Sequence, residues 1–159
     1  MMKKTRSLTQ SALIAALYVA LTYLSAAFGI ASGVIQLRIS EALTILPMFS
    51  FSAVPGLFAG CVAANLLTGA AIWDVVFGSL ATLLGALGTY YFGKNKYIAP
   101  VFPIVSNTVI IPFVLKSVYG VSEGLWFLML TVFIGELISC GVFGIILAGA
   151  VRKTKIFEK

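Results

Sequence analysis

The sequence contains no histidine, and only 10% of its 159 residues are charged. Without an imidazole, it has neither the base of a Ser-His or Cys-His pair nor a histidine metal ligand. Water-soluble domains carry about 25% charged residues, so the charged side chains here are too few to cover a globule of this size. The composition therefore excludes both a soluble domain and the classical hydrolases.

Cysteine and acidic residues are also scarce. Cys61 and Cys140 lie far apart inside apolar stretches and form no CxxC motif, so we expect packed, inert thiols and no metal or cofactor. Eleven Lys and Arg residues outnumber five Asp and Glu residues. These cations lie in short clusters beside apolar runs rather than along a groove with stacking aromatics, which predicts no nucleic-acid partner.

What the sequence does contain is long apolar runs, with 60% hydrophobic residues and a mean hydropathy of +1.07. A membrane-crossing helix needs about 20 residues. The pattern predicts an all-α integral membrane bundle of six transmembrane helices in a single domain over residues 1–159. The predicted ranges are 8–28, 41–49, 55–67, 73–92, 99–115 and 123–151, with Ser40 and Ser122 as N-caps of the second and sixth helices. The second helix is too short to cross the membrane alone.

The cations also predict the orientation of the bundle in lipid. With six crossings and an inside N-terminus, nine of the eleven cations lie inside, and only Arg38 and Lys116 lie outside. The positive-inside rule favours this arrangement, which makes both termini cytoplasmic. The inside set comprises Lys3, Lys4, Arg6, Lys94, Lys96, Arg152, Lys153, Lys155 and Lys159.

An ionisable or amide side chain in a membrane helix is a candidate functional residue, because burying it in hydrocarbon costs several kcal/mol. In the predicted topology the candidates gather in the outer half of the bundle, which indicates an outward-facing pocket rather than a through-pore. The candidate substrate-binding residues are Glu136, Asn107, Asp74, Trp73, Arg38, Glu41 and Asn65.

Most of these residues also have a purely structural interpretation. Asp74 begins a helix, where a carboxylate is favoured by capping and by the helix dipole. Trp73 suits the aromatic belt at the membrane interface, and Asn65 suits the end of the third helix. Two further structural alternatives stay open at this point: Arg38 and Glu41 as a simple ion pair, and Asn107 satisfying carbonyls freed by Pro112.

The charge balance of the candidate pocket indicates the ligand class. Three carboxylates, those of Glu41, Asp74 and Glu136, face one arginine, Arg38. Surplus acceptors favour a cation or a planar ligand with several N–H donors, such as a guanidine-like edge that pairs with a carboxylate. Anionic substrates are disfavoured.

Small residues form a stripe on the first helix. Ala12, Ala16 and Ala20 recur at four-residue spacing, which gives a smooth face where another helix can approach closely. Packing inside the bundle and docking on a partner protein both fit such a stripe.

Three stretches carry a family resemblance: QLRISEALTILP at 36–47, PGLFAGCVAANL at 55–66 and WDVVFGSLAT at 73–82. They resemble the QueT family, the queuosine-precursor S-component of energy-coupling factor (ECF) transporters. The resemblance implies a six-helix substrate-binding subunit with membrane lipid around it and a 7-deazaguanine, queuine or its aminomethyl precursor, as substrate. It also implies a transmembrane coupling subunit and two ATPase subunits as partners, with Ala12, Ala16 and Ala20 as the docking motif.

The predicted function is therefore a non-enzymatic binding subunit of a vitamin importer in the cell membrane. The sequence contains no GxxxxGK[ST] phosphate loop, so energy must come from a partner. Two alternatives stay open: an S-component for a different vitamin, and a self-sufficient secondary carrier or channel for a small cationic solute. The carrier requires polar groups across the whole membrane, which the inner halves of the helices lack.

Overall fold

The computed structural model describes residues 2–31 and 36–154, with side chains from Lys4 onward. Over these residues the chain forms six helices and no strand. They are helix 1 (Met2–Ala27), helix 2 (Ile39–Met48), helix 3 (Ala53–Leu67), helix 4 (Ile72–Phe92), helix 5 (Val101–Ser117) and helix 6 (Leu125–Thr154). The predicted all-helical membrane bundle is confirmed, and the observed bounds lie within a few residues of the predicted ones except at the start of helix 1.

Helices 1, 4 and 6 are long and apolar enough to cross a bilayer. Exposed aromatic side chains lie near both ends of the bundle, with Trp73 and Trp126 at one end and Tyr91 and Tyr97 at the other. Tryptophan and tyrosine collect at the two membrane interfaces. The long apolar helices and the two groups of aromatic side chains together define a membrane protein.

Helix 2 is a 3₁₀ helix in the centre of the bundle, not an α-helix. Eight consecutive residues, 40–47, are buried on every side. A 3₁₀ helix rises about 2.0 Å per residue, so ten residues cover about 20 Å, nearly the length of the 15-residue helix 3. The stretched geometry lets a short segment run through most of the bundle.

Two predicted helix caps are wrong. Helix 2 already begins at Ile39, so Ser40 lies inside it and accepts a hydrogen bond from Thr22 at 2.9 Å. Helix 6 begins after Gly124, whereas the Ser122 hydroxyl donates to the Glu123 carboxylate at 3.4 Å. The N-cap positions are instead Arg38 and Gly124, because helix 2 begins two residues earlier, and helix 6 two residues later, than predicted.

Helices 1 and 3 run parallel and in close contact. Ser11 donates to the Ser52 carbonyl at 2.7 Å at one end, and Tyr23 donates to the Leu67 carbonyl at 2.8 Å at the other. A Cβ at Gly60 would lie 2.8 Å from the Cβ of Tyr18. The helices therefore approach more closely than a side chain would permit, as small residues allow in membranes.

We expect Gly60→Ala to lower the free energy of unfolding by about 1–3 kcal/mol, because the added methyl group overpacks the contact with helix 1. Thermal unfolding in detergent measures the effect. Gly149→Ala is the control, since its Cβ meets nothing within 4 Å. Equal melting temperatures for the two variants would contradict the tight contact.

Helix 6 changes its winding halfway along. It is α-helical over Leu125–Glu136, forms a π-helix over Leu137–Phe143, and is α-helical again over Gly144–Thr154. The sequence predicts one continuous helix here. π-helical turns commonly lie at functional sites, and this one begins directly after Glu136.

The topology places the described cations unevenly between the two ends of the bundle. Arg38 and Lys116 lie at the end where helices 4 and 6 begin. The other end carries Lys4, Arg6, Lys94, Lys96, Arg152 and Lys153. The side chain of Lys3, and Lys155 and Lys159, which the orientation argument also used, fall outside the described residues.

Candidate functional site

A polar pocket lies between helices 2, 4, 5 and 6. It brings together five of the seven predicted substrate-binding residues, although they come from distant parts of the chain. The five are Arg38, Glu41, Asp74, Asn107 and Glu136, and the rest of the wall is Gln36, Gly78, Thr82, Ile111, Leu115 and Val132. Polar groups from several helices therefore converge on one place.

A wider chamber leads into this pocket. The chamber has a volume of about 430 Å³, against about 40 Å³ for the pocket itself. Gln36, Arg38, Asp74 and Leu115 line both spaces and form the neck between them. A cavity needs a volume of roughly 10–15 Å³ to hold one water molecule, so the pocket has room for about three waters.

Glu136 anchors the deep end of the pocket. Its Oε1 accepts a hydrogen bond from Asn107 Nδ2 at 2.9 Å, and its Oε2 accepts one from Cys140 Sγ at 3.0 Å. The Asn107 amide thus serves the pocket carboxylate rather than the backbone around Pro112. An ionised carboxylate accepts about four hydrogen bonds, so Glu136 retains capacity for a ligand.

Glu41 lies beside Glu136 and is only 2% exposed. The Tyr18 hydroxyl donates to Glu41 Oε1. The other oxygen, Oε2, has no hydrogen-bond partner among the described residues. A buried acceptor without a donor is costly, so this oxygen marks a place where a ligand with an N–H group gains free energy.

The structure also brings a thiol to the two carboxylates. Glu41, Glu136 and Cys140 each offer one potential ligand atom, and the three atoms lie within 4.8 Å of one another. Cys140 donates a hydrogen bond to Glu136, and Tyr18 donates one to Glu41. Each of the two carboxylates thus already accepts a hydrogen bond from a protein side chain. The arrangement is an acceptor-rich surface suited to N–H groups.

Asp74 and Arg38 lie at the neck of the pocket. Asp74 does not cap helix 4; instead its Oδ2 accepts a hydrogen bond from the Tyr119 hydroxyl at 2.9 Å. Tyr119 follows helix 5 and accepts the Ala71 N–H at 3.2 Å. Partial burial raises the pKa of Tyr119 above its ordinary value, so the phenol stays protonated and keeps donating to Asp74.

The comparison with known proteins agrees with this architecture. The family model described as the QueT transporter matches residues 8–153. The chain belongs to the QueT transporter family. It is 35% identical over 94 residues to the queuosine precursor transporter QueT of Lactococcus lactis subsp. cremoris (strain MG1363), an alignment that covers 58% of this chain and 55% of that protein. The chain thus matches about half the length of that relative, and no solved structure matches it.

Trp73 and Asn65 are the two predicted residues that this QueT-family structure does not bring to the pocket wall. Trp73 is 57% exposed and stacks on Phe77 at a centroid distance of 6.0 Å on the outside of helix 4. Asn65 is fully buried, and its Nδ2 donates to Cys61 Sγ at 3.6 Å. Trp73 therefore lies on the surface of the bundle, and the Cys61 contact holds Asn65 behind the wall near Gly78.

Sequence reasoning missed several polar residues at or beside the QueT-family pocket. Tyr18 was not singled out because one tyrosine in an apolar helix is usual at membrane interfaces. Cys140 was expected to be a packed thiol that could share a wall with Glu136 through its i+4 spacing, but its hydrogen bond to the Glu136 carboxylate was not predicted. Gln36 and Thr82 carry no charge, so hydropathy alone does not single them out in the sequence.

The alanine stripe of this QueT-family chain lies on the surface. Ala12, Ala16 and Ala20 are exposed, whereas Ile14 and Tyr18 on the opposite face of helix 1 are buried. In the most apolar 18-residue stretch of helix 1, 22% of the residues are buried, against 44% in the corresponding stretch of helix 4 and 39% in that of helix 6. The stripe therefore does not pack inside the bundle and is accessible to another helix.

Proposed function

We propose that this chain is the membrane-embedded substrate-binding subunit of an ECF-type importer that captures a queuosine precursor from outside the cell. The ligand is a 7-deazaguanine, such as queuine or its aminomethyl precursor. Membership of the QueT transporter family and the similarity to the queuosine precursor transporter of L. lactis support the substrate. The sequence resemblance to S-components supports the ECF assembly.

The observation that carries the proposal is the buried oxygen Oε2 of Glu41, next to Glu136, which has no hydrogen-bond partner within residues 2–31 and 36–154. The guanine-like edge of a 7-deazaguanine presents adjacent N–H and NH₂ donors, which suit a carboxylate that accepts two bonds. The aminomethyl group adds a positive charge, which suits the excess of carboxylates over Arg38 in the pocket wall.

The mechanism begins at the wide chamber, through which the ligand reaches the neck at Arg38 and Asp74. Glu136, Glu41 and Asn107 then bind it in the deep pocket, which must widen beyond its 40 Å³ to accept a bicyclic base. The segment that carries Arg38 closes over the ligand. Docking through Ala12, Ala16 and Ala20 lets the assembled importer reorient the pocket towards the cytoplasm.

The remaining features of the proposal follow from this role. The subunit is one domain and performs no chemistry, and two partner ATPases supply the energy through a transmembrane coupling subunit. Both termini lie in the cytoplasm, because most cations of the described residues gather at the end opposite the pocket.

Equilibrium binding tests the proposal on detergent-purified protein, with queuine, its aminomethyl precursor and thiamine as the panel. We expect saturable one-to-one binding of the 7-deazaguanines and none of thiamine. Binding of thiamine alone would indicate an S-component for a different vitamin. No binding of any 7-deazaguanine would contradict the proposed substrate.

Reconstitution distinguishes a binding subunit from a self-sufficient carrier. Liposomes that contain this chain alone are expected to bind the aminomethyl precursor without concentrating it inside. Accumulation driven by a proton gradient, in the absence of any ATPase, would instead establish a secondary carrier.

A further inference from the structure

The buried face of helix 1 is joined to the start of helix 2 by a ladder of hydrogen bonds. Tyr18, Thr22 and Ser25 lie on one face of helix 1 at helical spacing and are all buried. The Tyr18 hydroxyl donates to Glu41 Oε1, Thr22 Oγ1 donates to Ser40 Oγ at 2.9 Å, and the Ile39 N–H donates to Ser25 Oγ at 2.9 Å. Three side chains of helix 1 thus hold three consecutive residues of helix 2.

Tyr18 differs from the other two members of the ladder because its partner lines the pocket. Glu41 is part of the pocket wall, whereas Ser40 and Ile39 are not. The bond from Tyr18 occupies Oε1 and leaves Oε2 as the oxygen without a partner among the described residues. The hydroxyl therefore determines which oxygen of Glu41 is available to a ligand.

Tyr18 is itself held in place. Its side chain is fully buried, and the missing side chain of Gly60 on helix 3 leaves the room for its Cβ. Interiors packed this closely permit few alternative rotamers. The hydroxyl consequently acts as a fixed point against which Glu41 is oriented.

We propose that Tyr18, which does not line the pocket, is a positioning residue that orients the Glu41 carboxylate for the ligand. The inference rests on the proposed function, since it concerns the affinity of the same pocket. It also places one determinant of ligand affinity on helix 1, the helix that carries the exposed alanines on its other face.

The test is a double-mutant cycle on the affinity of purified protein for the aminomethyl 7-deazaguanine. Tyr18→Phe retains the ring and removes the hydroxyl, and we expect about five- to thirty-fold weaker binding, less than the full effect of losing a hydrogen bond to a charged group, because Tyr18 acts on the ligand only through Glu41. In a chain that already carries Glu41→Gln, the same change is expected to cause no further loss, because the oriented carboxylate is absent.

Glu41→Asp provides a second test of the inference that leaves Tyr18 unaltered. Aspartate keeps the charge but is one methylene shorter, so its carboxylate falls short of the hydroxyl. We expect a loss comparable to that of Tyr18→Phe, and no additional loss when the two changes are combined. Binding by Glu41→Asp at the wild-type level would overturn the inference, because the position of the carboxylate at residue 41 would then not affect affinity.

Ser25→Ala is the matched control, since it removes a hydroxyl from the same face of helix 1, and neither Ser25 nor its partner Ile39 lines the pocket or the chamber. We expect wild-type affinity within about twofold. Unchanged affinity in Tyr18→Phe, or losses that multiply between Tyr18→Phe and Glu41→Gln, would overturn the positioning role alone. Failure of the wild-type chain to bind the compound would overturn the proposed function and this inference with it.

Discussion

Glu136→Gln is expected to weaken binding of the aminomethyl 7-deazaguanine by about 1.5–3 kcal/mol, or about 12- to 160-fold, which is the range for a hydrogen bond to a charged group. Glutamine has nearly the same shape, so it retains the contact with Asn107 but loses the negative charge that attracts the ligand. Isothermal titration of purified protein measures the change.

Glu123→Gln is the matched control for this prediction. Glu123 is also an acid at the same end of the bundle, but it is exposed in the segment between helices 5 and 6 and does not line the pocket. Its replacement is expected to leave affinity unchanged. Equal affinities for Glu136→Gln and the wild type would remove Glu136 from the binding site.

Ala16→Trp is expected to separate uptake from binding. The indole ring adds bulk in the middle of the exposed alanine stripe, so a partner helix cannot approach closely. We expect uptake by cells that carry the complete importer to fall at least about tenfold, consistent with an overpacked helix contact. Affinity of the purified subunit is expected to stay at the wild-type level, because Ala16 lies on the face of helix 1 away from the pocket.

Two controls accompany this variant. Ala16→Ser keeps a small side chain at the same position and is expected to retain uptake. Ile146→Trp adds the same ring to an exposed position of helix 6 and tests for a general effect of surface bulk. Normal uptake by Ala16→Trp would show that the stripe is not the docking face, and lost binding would show that the change disturbs the pocket.

The existence and approximate range of all six helices could be predicted from the sequence, because apolar runs, prolines and glycines mark them clearly. Helix 3 ends at Leu67 as predicted, and Gly69 follows it at a φ of +75°. The 3₁₀ form of helix 2 was not predictable. Residues 40–47 are buried by the surrounding helices, and hydropathy along one segment does not distinguish a 3₁₀ helix from an α-helix.

The pocket was predictable to the extent that its residues are charged or carry an amide. Arg38, Asp74 and Glu136 are conspicuous in apolar helices because each is costly to bury without a function. Trp73 shows the limit of this reasoning: its place in the chain next to Asp74 says nothing about the direction of its side chain. Adjacent residues on a helix point about 100° apart, and here only Asp74 faces the pocket.

The π-helix of helix 6 makes the rotation between the two α-helical halves of helix 6 depend on the number of residues in the segment that joins them. A π turn accommodates one residue more than an α turn, so the α segments before and after Leu137–Phe143 are offset by about 100° relative to an uninterrupted helix. Deleting a single residue in this range would restore regular winding and rotate Glu136 by about a quarter-turn against the C-terminal half. A one-residue deletion would thus shift Glu136 relative to Glu41 on helix 2, against which the C-terminal half of helix 6 packs, while every pocket side chain remained in the polypeptide.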